Sequence, residues 1–386
     1  MKKKNIIPYG HQWIDSKDIK EVVKVLKTDW MTQGPKIEKF EKAIAQYCGV
    51  KYAVAVSSGT AALHTAYAVA GINTQDEVIT TPLTFAATAN AIIYCGGKPV
   101  FADIQKDSLN IDPREIEKKI TAKTRAIAPV DFAGHPCDYD EIKKIAKKHK
   151  LLIIEDASHS LGSIYKKRKI GSIADMTILS FHPVKIITTG EGGMILTNNK
   201  NFYNRLKIFR HHGIIKKPNK GSWYYEIKKI GHNFRITDFQ CALGLSQLKK
   251  IDKFIRKRRN IVAKYNRAFK NIKEFITPTE KKYVKSAWHI YVIQLCLNKL
   301  KTERKIIFEA LKKADLGVQV HYLPLHLQPY YQKEFGYKKG DFPMAENYYK
   351  RAITLPLFPK MTNQEINKVI KIVKNIIRIY KSQPHK

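Results

Sequence analysis

Acidic residues are scarce in this chain. Asp and Glu number 33 against 70 Lys and Arg, which gives a formal net charge of +37. Such an imbalance has two readings: a polyanionic partner such as nucleic acid, or ammonium groups laid over every exposed face. The lysines are spread along the whole length and no DNA- or RNA-binding motif accompanies them. The second reading is therefore favoured, and nucleic acid is not expected as a partner. A positive surface still favours a substrate that carries phosphate. Cysteine is also rare: Cys48, Cys95, Cys137, Cys241 and Cys296 lie far apart, with no C-x-x-C pair. An odd count at long spacing argues against a disulfide framework or a metal site, and fits the reducing cytoplasm. No apolar run approaches about 18 residues, so no membrane span is expected. The start, Met1-Lys-Lys-Lys-Asn-Ile-Ile-Pro8, has no apolar stretch of the kind a secretion signal needs. Internal repeats and low-complexity tracts are absent, and Ser382 to Lys386 is expected to fray.

What is present is core-forming material. Hydrophobic residues make up 44% of the 386 positions, enough for two or three domains. Asp15 or Ser16 caps a helix running to about Leu26, and a second helix spans Lys36 to Tyr47. From Tyr52 the rhythm becomes strand, glycine turn, helix. Strands are expected at Tyr52 to Val56, Glu77 to Thr80, Pro99 to Ala102, Arg125 to Val130, Leu151 to Ile154 and Met176 to Leu179. Helices between them cover Ala61 to Ala70, Phe85 to Ile93, Pro113 to Ile120 and Tyr139 to His149. That alternation predicts an α/β fold with right-handed crossovers and a mostly parallel sheet. After Ile251 a long basic helix runs to about Phe269. A smaller α+β region follows, with strands Ile290 to Leu295 and Gly317 to His321, helix Glu303 to Lys313 and a last helix from Asn363 to Tyr380.

Four stretches carry chemistry. Ser58-Gly59-Thr60-Ala61 follows a strand and opens a helix, where free backbone N–H groups make an anion site. The same residues also read as an ordinary helix cap. Leu151-Leu-Ile-Ile-Glu155-Asp156-Ala-Ser-His159 ends an apolar strand in two carboxylates. Ligands of open α/β sheets sit beyond such strand ends, so Asp156 can meet a protonated ring nitrogen and His159 the same ligand. Without a ligand, Asp156 is a helix cap and His159 a core histidine. Phe85, just past another strand, is a plate for a planar cofactor or a core aromatic. Finally, Ser180-Phe-His-Pro-Val-Lys185 leaves the strand Met176 to Leu179 and enters a loop with three glycines. A lysine there is partly desolvated, which lowers its pKa and frees its amine for Schiff-base chemistry. A phosphate cradle, a strand-end Asp, a nearby His, an aromatic plate and such a lysine are what pyridoxal phosphate requires.

In combination these motifs resemble the fold type I, aspartate aminotransferase-like enzymes. Within them they resemble the sugar-nucleotide aminotransferases of the DegT/DnrJ/EryC1/StrS family, from about Ile7 to Thr362. The carriers are S-G-T-A, E-D-A-S-H-S, S-F-H-P-V-K with T-G-E-G-G, and Gly231-His-Asn-Phe-Arg-Ile-Thr-Asp238. Pro8-Tyr-Gly-His-Gln-Trp-Ile-Asp15 and Met31-Thr-Gln-Gly-Pro35 are most similar to the branch of that family serving pseudaminic acid biosynthesis. The resemblance implies pyridoxal phosphate as cofactor, L-glutamate as donor, a UDP-linked 4-keto sugar as acceptor, and a cytoplasmic homodimer with shared active sites. The change of texture after Ile251 divides the chain into an N-terminal arm (1–29) expected to pack with the small domain, a large α/β domain (30–250), which the resemblance makes the cofactor-binding one, and a small α+β domain (251–386).

Residue by residue, the resemblance makes Lys185 the Schiff-base lysine, Asp156 the partner of the pyridine nitrogen and His159 the neighbour of the ring oxygen. Gly59, Thr60, Ala61 and Ser180 would hold the phosphate, and Phe85 would stack on the ring. Asn233 would reach the phosphate from the second subunit. Tyr9, Asp29, Trp30, Met31, Thr32, Gln319, His321 and Tyr322 would contact the nucleotide sugar, with Gly59, Ser180 and Asn233 beside it. Arg235 would receive a carboxylate or a phosphate. Relatives that work as dehydratases carry His at the Lys185 position, and the lysine here argues against that chemistry.

Overall fold

The computed structural model describes residues 6–382, so the tail beyond Ser382 that was expected to fray lies outside them. The chain opens with α1 (Ser16–Leu26), capped by Asp15, and α2 (Pro35–Cys48). The alternating region follows: β1 (Tyr52–Val56), α3 (Gly59–Ala70), β2 (Glu77–Thr80), α4 (Ala86–Tyr94) and β3 (Lys98–Phe101). It continues through α5 (Pro113–Lys118), β4 (Thr124–Ala128), α6 (Tyr139–His149) and β5 (Leu152–Asp156). A short hairpin, β6 (Ile164–Tyr165) and β7 (Arg168–Lys169), precedes β8 (Met176–Ser180) and β9 (Gly193–Thr197).

The central sheet has the order β1-β9-β8-β5-β4-β2-β3. Every ladder in it is parallel except those of β9, which runs antiparallel to both β1 and β8. The strand Gly193–Thr197 was not foreseen, and its direction has a simple cause. The connection from Ser180 is a glycine loop without a helix, and a parallel return requires a crossover, usually helical. One face of the sheet is covered by α2 and α6 through Phe40, Ile44, Ile142 and Ile145. The other is covered by α3 and α4 through Leu63, Ala66, Tyr67 and Ile92. Burial on both faces explains the near-continuous apolar strands. Each Ile or Leu buried there contributes about 1.5–3 kcal/mol.

Past β9 come α7 (Lys200–Arg210), a hairpin of β10 (Ile214–Lys216) and β11 (Tyr225–Ile227), α8 (Asp238–Leu248) and α9 (Ile251–Phe269). Residues 217–224 form the turn of that hairpin. Helix α9 joins two cores. Ile251, Phe254 and Ile255 pack in the large one, while Ile261, Val262, Tyr265 and Phe269 pack in the second. That second core is built on a sheet of β12 (Phe275–Ile276), β14 (Tyr291–Leu295) and β15 (Ala352–Leu355), while β13 (Val284–Lys285) pairs with β6. It is covered by α10 (Arg304–Lys313) and α13 (Asn363–Tyr380). Between them lie α11 (Pro329–Phe335) and α12 (Pro343–Arg351).

The strand expected over Gly317 to His321 does not form. Gly317 donates its amide to Ile7 O at 2.7 Å, and Val318 turns back to Leu316 O at 3.0 Å. Only Gln319 makes a bridge, to Thr354. The N-terminal arm therefore divides. Ile7 is pinned beside Asp315 and Gly317 in the second core, whereas α1 lies on α8, held by buried Asp18 to Gln247 and Lys250. Among the described residues no helix is long and apolar enough to cross a membrane.

Candidate active site

The carboxyl ends of β1, β5 and β8 converge, as ligand sites of open parallel sheets do. There they border a cavity of about 580 Å³. From the β1–α3 turn come Gly59 and Thr60; from β5 onward, Asp156 and His159; from β8 onward, Ser180 and Lys185. Phe85 closes one side. Tyr9, Gln319, His321 and Tyr322 arrive from the arm and the second core, so the site is built where the two cores meet.

Ser58 caps α3, its Oγ accepting the Ala61 amide at 3.0 Å. The cap and the anion site are therefore one structure. The Ala61 amide is already taken by the cap and its side chain is in the core, while the Gly59 and Thr60 amides come free at the helix N-terminus. A Cβ on Gly59 would lie 3.0 Å from Ser180 Cβ and 3.2 Å from its Oγ, so glycine keeps the cradle open. Gly193 presses the end of the T-G-E-G-G loop onto the same turn, since a Cβ there would lie 2.2 Å from Ser58 O. Open amides at a helix N-terminus beside a serine hydroxyl fit a phosphate.

Asp156 is buried and is no helix cap. Its Oδ1 accepts from the Ser158 amide at 3.1 Å and Ser158 Oγ at 2.6 Å, and its Oδ2 accepts from Thr88 Oγ1 at 2.7 Å. Thr88 in turn shares a 2.8 Å bond with Thr84. Fixed this way as an acceptor lining the cavity, Asp156 suits a protonated ring nitrogen. Phe85 is 60% exposed, which excludes the core reading and leaves its ring available to a planar ligand.

Burial pushes the Lys185 ammonium down to about 8, with the Asp156 carboxylate pulling the other way. His159 is 5% exposed, and burial, then Lys185 and His321, hold it well below its ordinary range, so it is neutral. Its Nε2 lies 3.3 Å from Tyr322 Oη, while its Nδ1 is buried without a partner. Burial and Lys185 bring His321 down to about 4, and its Nδ1 shares a 2.8 Å bond with Thr354 Oγ1. A lysine whose proton is loosened by burial, an acceptor for a ring N–H, an imidazole and a phosphate cradle share one cavity, and together they fit pyridoxal phosphate.

Sequence reasoning missed Thr88, Ser158, Glu191 and His289, which also line the cavity. Thr84 and Thr88 stand four apart, the spacing that shares a helix face, and that was the available signal. Asp29, Trp30, Met31, Thr32, Asn233 and Arg235 do not line this chain's cavity. They gather elsewhere: Thr32 bridges Thr237, Met31 O accepts the Asp238 amide at 3.0 Å, and Arg235 bonds His211. Phe234, between Asn233 and Arg235, accepts the Ser57 amide at 2.9 Å, which ties that face to the phosphate turn. A larger cleft of about 880 Å³ lies beside Phe132 and Trp288, but Lys281 and Arg114 in its wall are paired with Asp138 and Asp112. Lys281 there is tied up in an ion pair rather than free to act on a ligand.

Fold and site define a fold type I aminotransferase. Residues 12–374 match the DegT/DnrJ/EryC1/StrS aminotransferase family, and the chain belongs to that family of pyridoxal-phosphate-dependent sugar aminotransferases. It is 43% identical to the spore coat polysaccharide biosynthesis protein SpsC of Bacillus subtilis, over 98% of each chain. It is also 43% identical to the UDP-4-amino-4,6-dideoxy-N-acetyl-β-L-altrosamine transaminase of Campylobacter jejuni, over 92% of this chain and 93% of that one. Among solved structures it superposes on Helicobacter pylori PseC, an aminotransferase of pseudaminic acid biosynthesis, with a TM-score of 0.92. The identity is 36%, covering 97% of this chain and all of that one.

Proposed function

We propose that this enzyme moves the amino group of L-glutamate to C4 of a UDP-linked 4-keto-6-deoxy-N-acetylhexosamine (UDP-2-acetamido-2,6-dideoxy-β-L-arabino-hex-4-ulose). The products are UDP-4-amino-4,6-dideoxy-N-acetyl-β-L-altrosamine and 2-oxoglutarate, in pseudaminic acid biosynthesis. The observation that carries the reading is a half-buried lysine at about 8 in one cavity with Asp156, His159 and the Gly59–Thr60 turn. The likeness to the named transaminase supports the choice of sugar.

Pyridoxal phosphate, when bound, supplies a carbonyl for amines and a ring that draws electrons from the adjacent carbon. The Gly59 and Thr60 amides with Ser180 hold its phosphate, Phe85 covers the ring, and Asp156 keeps the ring nitrogen protonated. Lys185 Nζ takes the proton from glutamate Cα and later delivers one to the sugar's C4, as base and then acid. His159, neutral, donates from Nε2 to the ring oxygen. Tyr9, Gln319, His321 and Tyr322 orient the sugar. Two half-reactions through one site give ping-pong kinetics.

The working unit is a homodimer. The face carrying Asp29 to Thr32, Asn233 and Arg235 also exposes Trp30 and Met31, while the neighbouring hairpin exposes Trp223, Ile227 and Ile230. Apolar exposure on that scale marks an interface, and Asn233 would complete the second copy's phosphate site. Five free cysteines agree with work in the cytoplasm. The domains are a cofactor domain over 30–250, on which α1 of the arm lies, and a small domain over 251–386, which holds Ile7 of the arm.

The test offers purified enzyme L-glutamate with UDP- and thymidine-linked keto sugars and reads the products by mass. The reading expects amination of the UDP sugar and its loss in Lys185→Ala. Amination of the thymidine-linked sugar alone would sink it.

A further inference from the structure

Arg258 on α9 is 1% exposed, yet no carboxylate meets it among the described residues. Its Nη1 instead donates to three carbonyls, Trp288 O at 3.3 Å, His289 O at 3.0 Å and Leu357 O at 3.0 Å. Its Nε is buried without a partner. A buried cation with only neutral acceptors is costly. What Arg258 holds is a bend. Trp288 has φ +53°, a left-handed conformation that a bulky residue rarely adopts. The bend turns His289 toward the active site, where its ring centroid lies 4.3 Å from that of His159, the planes tilted by 43°.

A second set of bonds fixes the same pair from the other side. The His289 amide donates to Ala133 O at 2.9 Å. Ser286 Oγ and Ser163 Oγ both donate to Gly134 O, at 2.9 Å and 2.7 Å. Gly134 is the spacer. A Cβ there would lie 2.9 Å from His159 O and 3.1 Å from the amides of both Trp288 and His289. The backbones under the two imidazoles are thus locked at the closest approach a glycine permits. Both rings are buried, and each has an unpartnered Nδ1. An acceptor lone pair left bare is less costly than a bare N–H, which favours the Nε2–H tautomer of His159.

We propose that His289, clamped by Arg258, is a positioning residue: it backs the His159 ring so that Nε2–H points into the cavity in a single tautomer. This rests on the reading that His159 meets the cofactor's ring oxygen. His289 itself touches no reacting atom in that reading. Burial above all, then the charges of Lys185, His321 and Arg258, oppose protonation of the pair.

The test labels histidine nitrogens in the cofactor-free protein and follows them by NMR between about pH 5.5 and 8. The His159 signals are identified by their loss in His159→Gln. In the wild type, His159 shows one neutral tautomer throughout. In His289→Ala and Arg258→Met its two nitrogens average, it gains a titration inside that range, and cofactor affinity drops about tenfold. His289→Phe, which keeps a flat ring behind His159, retains the single tautomer. If Arg258→Met does not fold, the two His289 variants decide alone. An unchanged tautomer and titration of His159 in folded His289→Ala overturns the proposal, whatever the cofactor does. Unchanged cofactor affinity in His159→Gln overturns instead the placement of His159 at the cofactor, and leaves the NMR comparison standing.

Discussion

Thr88 Oγ1 donates to Asp156 Oδ2 across 2.7 Å, bringing the first turns of α4 to the end of a strand 68 residues later. With the Ser158 contacts it fixes the carboxylate that we propose faces the cofactor's ring nitrogen. Hydrogen bonds to charged groups are worth about 1.5–3 kcal/mol. Thr88→Val should therefore weaken cofactor binding roughly tenfold to a hundredfold, while Thr88→Ser should bind nearly as well as the wild type. Absorbance titration of the cofactor-free protein checks this. Equal affinity in all three would mean that Asp156 needs no help from α4.

That contact also marks what local pattern could and could not carry. Helices α9 and α13 sit where a long amphipathic stripe placed them, at Ile251–Phe269 and Asn363–Tyr380, and α13 has a capping box at Thr362 and Glu365. Lys185, Asp156 and the Ser58–Thr60 turn were visible because each ends an apolar strand. Strand β9 was hidden, since its pairing depends on which way the glycine loop returns. Thr88 and His289 were hidden for a related reason. Each looks like an ordinary polar residue in its own segment and gains a role only through a partner far along the chain. Tyr9, Gln319, His321 and Tyr322 came from the resemblance, because nothing local in an arm or a loop shows that it folds back over a cavity.

Lys185 should leave a mark on stability. Its folded pKa is lowered from 10.5 to about 8, mainly by burial. Between those values the unfolded chain holds a proton that the folded apoprotein has released. Stability therefore rises with pH across that window, and the contribution is lost as pH falls through the folded value. Below it, the charged amine in its half-buried place is a penalty. Lys185→Met should then be more stable than wild-type apoprotein near pH 7, by about 1–2 kcal/mol after allowing for solvent screening. The difference should shrink by about pH 9.5. Urea midpoints of the two proteins at both pH values decide, and a gap that does not change with pH refutes the assignment.

Behind the site, Tyr139 Oη bridges Asp131 Oδ1 at 2.7 Å and Glu155 Oε1 at 2.8 Å, all three buried. Burial raises both carboxyls, Asp131 to about 6 and Glu155 well above its usual range, the latter also through the charge of Asp131. For a carboxyl raised on folding, stability is complete below the unfolded pKa and is lost as pH rises through the folded one. Glu155→Gln keeps one acceptor oxygen, turns its NH2 toward the other hydroxyl, which then accepts, and cannot ionise. Relative to the wild type it should gain stability from about pH 5 to 8, by on the order of 2 kcal/mol. Melting temperatures across that range test this, and a parallel pair of curves would show that Glu155 does not titrate there.

The last prediction concerns the second copy of the chain. Asn233 and Arg235 lie outside this chain's cavity, yet the Ser57 amide bonds Phe234 O between them, so their face is rigidly tied to the phosphate turn. Ile230 is 84% exposed and Trp223 79% exposed, which a lone chain gains nothing from. Trp223→Ser with Ile230→Asp removes apolar area from that face without touching Lys185, Asp156 or the Ser58–Thr60 turn. Light scattering should then report a monomer, and cofactor affinity should drop at least tenfold as the site loses its cross-subunit Asn233. Asn233→Ala should lower affinity alike while remaining dimeric, because it removes the contact and keeps the interface. A monomer that binds the cofactor as tightly as the wild type would show each chain's site to be complete on its own, and Asn233 would then have no part in it.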